Sequence, residues 1–143
     1  MPAQQKTSDS LRKILLTAKE DSNKVNALNA LSWDLSYRGE YNEALEPVKQ
    51  AIVLGEKLNF KRGLANSYNN IGGVYNGKGN YSAALENYFK GLQLFEEMKN
   101  VKGIGSAYNN IGSIYDMQGN AEKALEYYRK SLDIQVKTNN KHG

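Results

Sequence analysis

A fixed period of 40 residues is the feature of this sequence that most constrains its fold. Gly39, Gly79 and Gly119 stand 40 residues apart, and each is followed five residues later by the triplet Ala-Leu-Glu. Sequences that repeat at such an interval form arrays of stacked units, because one unit cannot bury its apolar face alone. The period therefore predicts a fold that presents an extended surface rather than one enclosed pocket.

Each repeat unit predicts two helices joined by a tight turn. In the second unit, Tyr68, Ile71, Gly72 and Tyr75 have the spacing of one apolar helical face. Residues 77–80, Gly-Lys-Gly-Asn, then break the pattern with glycines that tolerate unusual backbone angles and an asparagine suited to cap the next helix. Helical spacing resumes at Ala84, Leu85, Tyr88, Leu92 and Phe95. The other two units keep this order of helix, turn and helix.

The period also predicts the domain boundaries. We expect residues 1–7 to be a disordered tail and residues 8–23 to form an N-terminal capping helix that covers the first repeat. Ser8 or Asp9 could cap this helix, which carries Leu11 and Leu15 on one side. The three repeats are expected at residues 24–63, 64–103 and 104–143, and Gly143 would then open a truncated fourth repeat.

The residue types at fixed positions within each unit resemble those of the tetratricopeptide repeat. The family pattern has a large aromatic residue, Leu-Gly and Tyr on the first helix, and Ala and Phe on the second. Residues that fit it are Tyr68, Ile71, Gly72, Tyr75, Ala84 and Tyr88 in the second unit, and Tyr108, Ile111, Gly112, Tyr115, Ala124 and Tyr128 in the third. Two departures are a period longer than the usual figure of about 34 residues and the absence of a proline after the second helix. Longer helices would explain both.

This resemblance implies an all-α fold, a right-handed α-solenoid of three antiparallel helix pairs behind an N-terminal helix. It is similar to the tetratricopeptide regions of bacterial signalling proteins. HEAT and armadillo arrays also have units of about 40 residues, but they lack this register of glycine, tyrosine and alanine.

In the family, the first helices line a concave inner surface, and this implies a set of candidate partner-binding residues. Most of them are asparagines, whose side chains offer one acceptor and two donors to the backbone of an extended peptide. The candidates are Asn26, Asn29, Trp33, Asn66, Asn69, Asn70, Ser106, Asn109, Asn110 and Asp116. By resemblance, Asn70 and Asn110 correspond to the groove asparagines with which extended arrays hold partner peptides.

Two alternatives remain open for these residues. Any one of the asparagines could instead bond to a neighbouring helix or turn. Trp33, the sole tryptophan, could anchor an apolar side chain of a partner or could fill the first joint between helices. A dicarboxylate clamp for chaperone tails is not expected, because Asn29, Ser106 and Asn110 stand where that clamp needs cations and only Asn70 matches it.

Other function classes find little support in the sequence. The chain has no cysteine and one histidine, His142, and no spacing typical of catalytic or metal-binding residues, so we expect no enzyme, no metal site and no cofactor. The net charge of +4 comes from scattered lysines and arginines rather than from one basic face, which argues against nucleic acid. No apolar run is long enough to predict insertion into a membrane.

We therefore predict a protein–protein interaction module that binds an extended peptide or a helix in its concave groove. The alternative is a sensor or regulatory region of a longer signalling enzyme, such as a histidine kinase or a nucleotide cyclase. Self-association through the last helix is a further expectation, because Leu125, Tyr128, Leu132 and Ile134 would present an apolar face there. The composition leaves the compartment open, with a slight preference for an exported bacterial module.

Overall fold

Seven helices make up the part of the chain that the computed structural model describes, residues 3–142 with the side chains of residues 7–139. Within this range no residue lies in a strand. The helices are α1 (Ala3–Thr17), α2 (Ser22–Tyr37), α3 (Tyr41–Lys57), α4 (Lys61–Gly77), α5 (Tyr81–Glu97), α6 (Val101–Met117) and α7 (Ala121–His142). The prediction of an all-α solenoid is confirmed.

Helices α2 to α7 form three pairs, α2–α3, α4–α5 and α6–α7, and each pair packs on the next. Helices α3 to α6 have 17 residues each, and the connections between them have three residues. Two such helices and two such connections account for the 40-residue period. The helices are thus longer than those of the usual repeat, as the sequence predicted.

The turn inside each pair depends on a glycine with a left-handed backbone. Gly39, Gly79 and Gly119 have φ angles of 80°, 78° and 80°, which a side chain would strain. One residue further on, Asn80 caps α5 by accepting a hydrogen bond from the backbone N–H of Ala83 at 3.2 Å. The turns between pairs use a left-handed Asn59 or Lys99 instead.

The N-terminal helix differs from the prediction at both ends. Residues 1 and 2 of the expected tail lie outside the described residues, whereas residues 3–7 form the first turns of α1, where good helix formers stand and no breaker does. Ser8 is therefore inside the helix, fully buried, and it donates to the carboxylate of Asp34. Helix α1 ends at Thr17 and not at residue 23, because the next helix already begins at Ser22. Asp21 caps α2 by accepting a hydrogen bond from the backbone N–H of Lys24.

Two repeat boundaries are also shifted. Helices α4 and α6 begin at Lys61 and Val101, so Gly63 and Gly103 lie inside the first turn rather than before the helix. These glycines allow a close approach: a Cβ at Gly103 would stand 2.2 Å from the ring of Phe95. The left-handed residues that make the turns, Asn59 and Lys99, come four residues before these glycines, so each helix has already begun when the glycine is reached.

The last helix is longer than the period predicts. Helix α7 continues to His142, although α3 and α5 end at the equivalents of residue 137. The turns after α3 and α5 contain the left-handed residues Asn59 and Lys99, whereas α7 stays helical at the equivalent Asn139. Gly143, the expected start of a fourth repeat, lies outside the described residues.

Small residues permit the close contact within each pair. A Cβ at Gly72 would come within 2.6 Å of the Tyr88 ring, and one at Gly112 within 2.9 Å of the Tyr128 ring. Ala84 and Ala124, on the second helix of the same pairs, are buried. The main apolar cluster spans the joint between the second and third pairs and contains Ala65, Ala84, Tyr88, Leu92, Phe95, Ala107, Ile111 and Ile114.

Candidate functional site

A depression of about 350 Å³ lies across the first helices of the three pairs, α2, α4 and α6. The start of α3 and the middle of α5 complete its wall. We call it the polar depression; its lining residues are Trp33, Ser36, Tyr37, Tyr41, Asn69, Asn70, Gly73, Asn76, Gly77, Tyr88 and Asn110. It therefore brings together four of the residues predicted for the partner-binding groove: Trp33, Asn69, Asn70 and Asn110.

Two asparagines of the polar depression link neighbouring first helices. The side-chain amide of Asn70 donates to the backbone carbonyl of Asn29 at 3.0 Å, and that of Asn110 donates to Oδ1 of Asn69 at 3.0 Å. Both bonds use Nδ2. The Oδ1 atoms of Asn70 and Asn110 accept no hydrogen bond from another residue within 7–139. The alternative that these asparagines bond to neighbouring helices thus holds for their nitrogens, while their oxygens stay available.

Asn29 does not line the groove. It is only 7% exposed, its Nδ2 donates to the carbonyl of Gly63 at 3.1 Å, and its Oδ1 accepts from the hydroxyl of Ser67 at 2.7 Å. This network closes the joint between α2 and α4. The expectation that Asn29 contacts a partner is corrected, because both ends of its amide are already bonded inside the protein.

Trp33 lies at the open end of the polar depression. Its indole stacks on the ring of Tyr37 with centroids 5.3 Å apart and planes 15° from parallel. The two side chains are 59% and 64% exposed. Trp33 is therefore not the filler of an interhelical joint, and the pair forms an exposed aromatic wall.

Asn76 was missed by the sequence analysis, although the period could have found it. It stands 40 residues before the predicted Asp116, and Ser36 stands 40 residues before Asn76. The Oδ1 of Asn76 is buried and has no hydrogen-bond partner within residues 7–139. An unpaired buried acceptor of this kind is costly, and because the oxygen is enclosed, the donor of a partner cannot reach it in this structure.

The remaining candidates lie elsewhere on the first helices. Asn26, Asn66 and Asp116 are exposed on α2, α4 and α6, outside the polar depression. Ser106 and Asn109 line a second depression of about 440 Å³ between α6 and α7, with Lys102 and Gln135 among its other residues. Apart from the buried Asn29, the predicted residues thus lie in two depressions and on exposed parts of the first helices.

The lining of the polar depression carries no charged side chain. Its most buried residue is Tyr88, 4% exposed, and burial raises the pKa of the Tyr88 phenol to about 12. The hydroxyl lies 3.7 Å from the place that a Cβ at Gly73 would take. At neutral pH the polar depression therefore offers uncharged hydrogen-bond donors and acceptors.

No group of three or more His, Cys, Asp or Glu side chains in the described part of the chain is placed to hold a metal ion. None of the helices described here combines the length and the apolar composition of a membrane span.

Two tetratricopeptide repeat family models match the chain, one over residues 25–59 and the other over residues 62–136. The chain belongs to the tetratricopeptide repeat family. This confirms the resemblance drawn from Gly72, Gly112 and the tyrosines. Family membership supports a protein–protein interaction module, a role that is generally not catalytic.

Solved structures with the same fold include plant and bacterial proteins. The tetratricopeptide domain of Arabidopsis FLU is 20% identical with a TM-score of 0.73, over 81% of this chain and 97% of that one. MamA is 25% identical with a TM-score of 0.71, over 93% and 69%. A Rap protein, solved in complex with competence and sporulation factor, is 19% identical with a TM-score of 0.81, over 94% and 37%. Among curated protein sequences, none matches this chain.

Proposed function

We propose that this chain is a non-catalytic binding module that holds an extended peptide segment of another protein across α2, α4 and α6. The observation that carries the proposal is that two amide oxygens of the polar depression, Oδ1 of Asn70 and Oδ1 of Asn110, accept no hydrogen bond from another residue within 7–139. A peptide in extended conformation presents a backbone N–H at every residue, so it can supply a donor to each of them.

The chemistry of the lining favours a peptide over a nucleic acid. Recognition of a phosphate backbone requires clustered lysines and arginines, and the polar depression has none. Its exposed Trp33 and Tyr37 add apolar contact area of the kind that dominates binding energy at protein interfaces.

The proposal is tested with a random peptide library displayed on phage. Wild-type protein is the bait, and the affinity of the tightest peptide is then measured for the double variant Asn70→Ala/Asn110→Ala. We expect a loss of about 1–3 kcal/mol for each buried hydrogen bond removed. Asn87→Ala is the matched control, because Asn87 donates to the carbonyl of Ala83 on α5, outside the polar depression.

Because Asn70 and Asn110 also bridge neighbouring helices, the unfolding midpoint of the double variant is measured beside its affinity. If the double variant stays folded at the assay temperature and binds the peptide as tightly as wild type does, the proposed binding site is refuted.

The alternative function is that of a sensor or regulatory region within a longer signalling enzyme, such as a histidine kinase or a nucleotide cyclase. Arrays of this fold do occur within longer chains: this chain spans 37% of aspartyl phosphate phosphatase F of Bacillus subtilis and 42% of RapI. The complete reading frame distinguishes the two. A catalytic or membrane-spanning domain beside the array would favour the sensor, and further repeats alone would favour the scaffold.

Self-association through α7 is a second candidate, supported by one observation. Leu125 and Leu132 are 53% and 57% exposed, whereas Leu92, the equivalent of Leu132 on α5, is 7% exposed beneath α6. We propose that a second copy of the chain covers this face. Sedimentation should show dimers that Leu125→Glu/Leu132→Glu dissolves, and a wild-type monomer at high protein concentration would exclude them.

A further inference from the structure

A further depression of about 430 Å³ lies between α1 and α3, on the side of α2 away from Trp33. Leu31 and Leu35, which belong to its floor, stand two residues from Trp33 and thus about 200° around the helix. On its α1 wall, Leu16 is 83% exposed. We call this depression the outer hollow; its lining residues are Arg12, Leu15, Leu16, Lys24, Leu28, Leu31, Leu35, Glu43, Glu46, Pro47 and Gln50.

The 40-residue period shows what fills the equivalent place in the third pair. Four aromatic rings pack together there, between α5 and α7 and over α6: Phe89, Tyr108, Tyr115 and Tyr127. The Tyr127 ring contacts the other three, with centroid distances between 5.7 and 6.1 Å. One side chain of α7 thus connects α7 to both α6 and α5.

The outer hollow is the same place without these rings. The residues 80 positions before the three tyrosines are Leu28, Leu35 and Pro47, and all three line the outer hollow. The residue 80 positions before Phe89 is Asp9. Because none of these side chains carries a ring, the volume that the rings occupy in the third pair is open here. An aromatic side chain of a partner fits this volume and gains by burial against the leucines of α2.

The charged residues of α3 give this surface a direction. Glu43 and Glu46 line the outer hollow, and Lys49 and Lys57 line a depression that adjoins it at Gln50. None of these four charged side chains forms a salt bridge within residues 7–139. Because complementary charges orient a partner, an acidic residue fits the lysines and a basic residue fits the glutamates.

We propose that the outer hollow and the adjoining lysines are a second docking surface, for a partner segment that carries an aromatic residue with an acidic residue beside it. The aromatic ring takes the place that Tyr127 has in the third pair, and the acidic residue pairs with Lys49 or Lys57. This surface and the polar depression lie on opposite sides of α2, so one chain can hold two partners at once.

The test sorts the peptides that wild-type protein selects from a displayed random library by the variant that abolishes their binding. We expect one class of peptides, with an aromatic and an acidic residue, that binds Asn70→Ala/Asn110→Ala as tightly as wild type. The same class should bind Lys49→Glu/Lys57→Glu about tenfold more weakly. Lys13→Glu/Lys137→Glu is the matched control, with the same charge change at two exposed lysines outside both depressions.

Two further measurements locate the ring and the acidic residue. Pro47→Tyr places a ring where the third pair has Tyr127 and should abolish binding of this class, whereas Pro47→Ala adds no ring and should retain it. Replacing the acidic residue of the peptide by lysine should restore affinity for Lys49→Glu/Lys57→Glu. A variant that had lost its fold could not show this recovery.

The outcomes separate this surface from the polar depression. If every selected peptide requires Asn70 and Asn110 and none is weakened by Pro47→Tyr or Lys49→Glu/Lys57→Glu, the second docking surface is refuted while the proposed function stands. An equal loss in Lys13→Glu/Lys137→Glu would also refute it, because attraction to the net charge would then explain the binding.

Discussion

The second and third helix pairs have nearly the same residues in register, yet their burial differs sharply. Tyr88 is 4% exposed on α5, whereas its equivalent Tyr128 on α7 is half-buried. The cause is position: α6 covers α5, while in the described chain no later helix covers α7. In a stacked array, burial comes from the next unit, so identical residues contribute differently to stability.

The largest effect that we expect separates Leu92 from Leu132. Leu92→Ala removes a buried side chain from the joint between the pairs and should destabilise the protein by about 2–5 kcal/mol. At protein concentrations too low for dimers, Leu132→Ala changes an exposed residue and should cost less than about 1 kcal/mol. Urea denaturation of both variants measures the difference. Equal losses would show that α7 is covered, for example by a second copy.

Alkaline pH should lower the free energy of unfolding, because Tyr88 of the second helix pair is buried. Burial raises the pKa of its phenol from 10.0 to about 12, so between these pH values the unfolded chain releases a proton that the folded chain keeps. This contribution to stability is complete below pH 10 and is lost as the pH rises to 12. It amounts to about 3 kcal/mol at most, since each pKa unit corresponds to about 1.4 kcal/mol.

The measurement is the free energy of unfolding at several pH values between 9 and 12, for wild type and for Tyr88→Phe. The variant should show a distinctly smaller fall in stability. A fall of the same size in both proteins would mean that this phenol does not titrate as its burial requires.

The smallest effect concerns the glycines at the helix crossings. Gly72→Leu should destabilise by about 1–3 kcal/mol, because its Cβ would meet the buried Tyr88 ring at 2.6 Å. Gly112→Leu should cost less, since the half-buried Tyr128 can move outward. Thermal melting of the two variants compares them, and an unchanged melting temperature for Gly72→Leu would refute the account of the crossing.

The sequence was sufficient for the helices, the turns and the family, because these depend on local spacing and on glycines that recur with the period. It was misleading at Gly63 and Gly103, the expected last residues of two repeats, because each lies in the first turn of the next helix and permits contact with a phenylalanine ring. Local patterns do not distinguish these two uses of glycine. Ser8 is a similar case, since its role depends on Asp34 in another helix.

The candidate site was predicted in part, for a related reason. Asn29, Asn69 and Asn109 are equivalent in sequence, but Asn29 is bonded inside the joint because Ser67 faces it, whereas Ala107 takes the place of Ser67 one repeat later. The hydroxyl of Ser67, 38 residues away, thus occupies Oδ1 of Asn29 inside the joint, whereas Oδ1 of Asn69 accepts from Asn110. Such a dependence is visible only when the helices are packed together.

The central claim, that a peptide binds across the first helices, has a built-in reporter in Trp33, the sole tryptophan and a residue of the polar depression. Its fluorescence is followed while the tightest displayed peptide is titrated into wild type and into Asn70→Ala/Asn110→Ala. We predict a saturable change in emission in wild type and a clearly weaker affinity in the double variant. A peptide that binds both proteins equally and leaves the Trp33 emission unchanged would contradict the account.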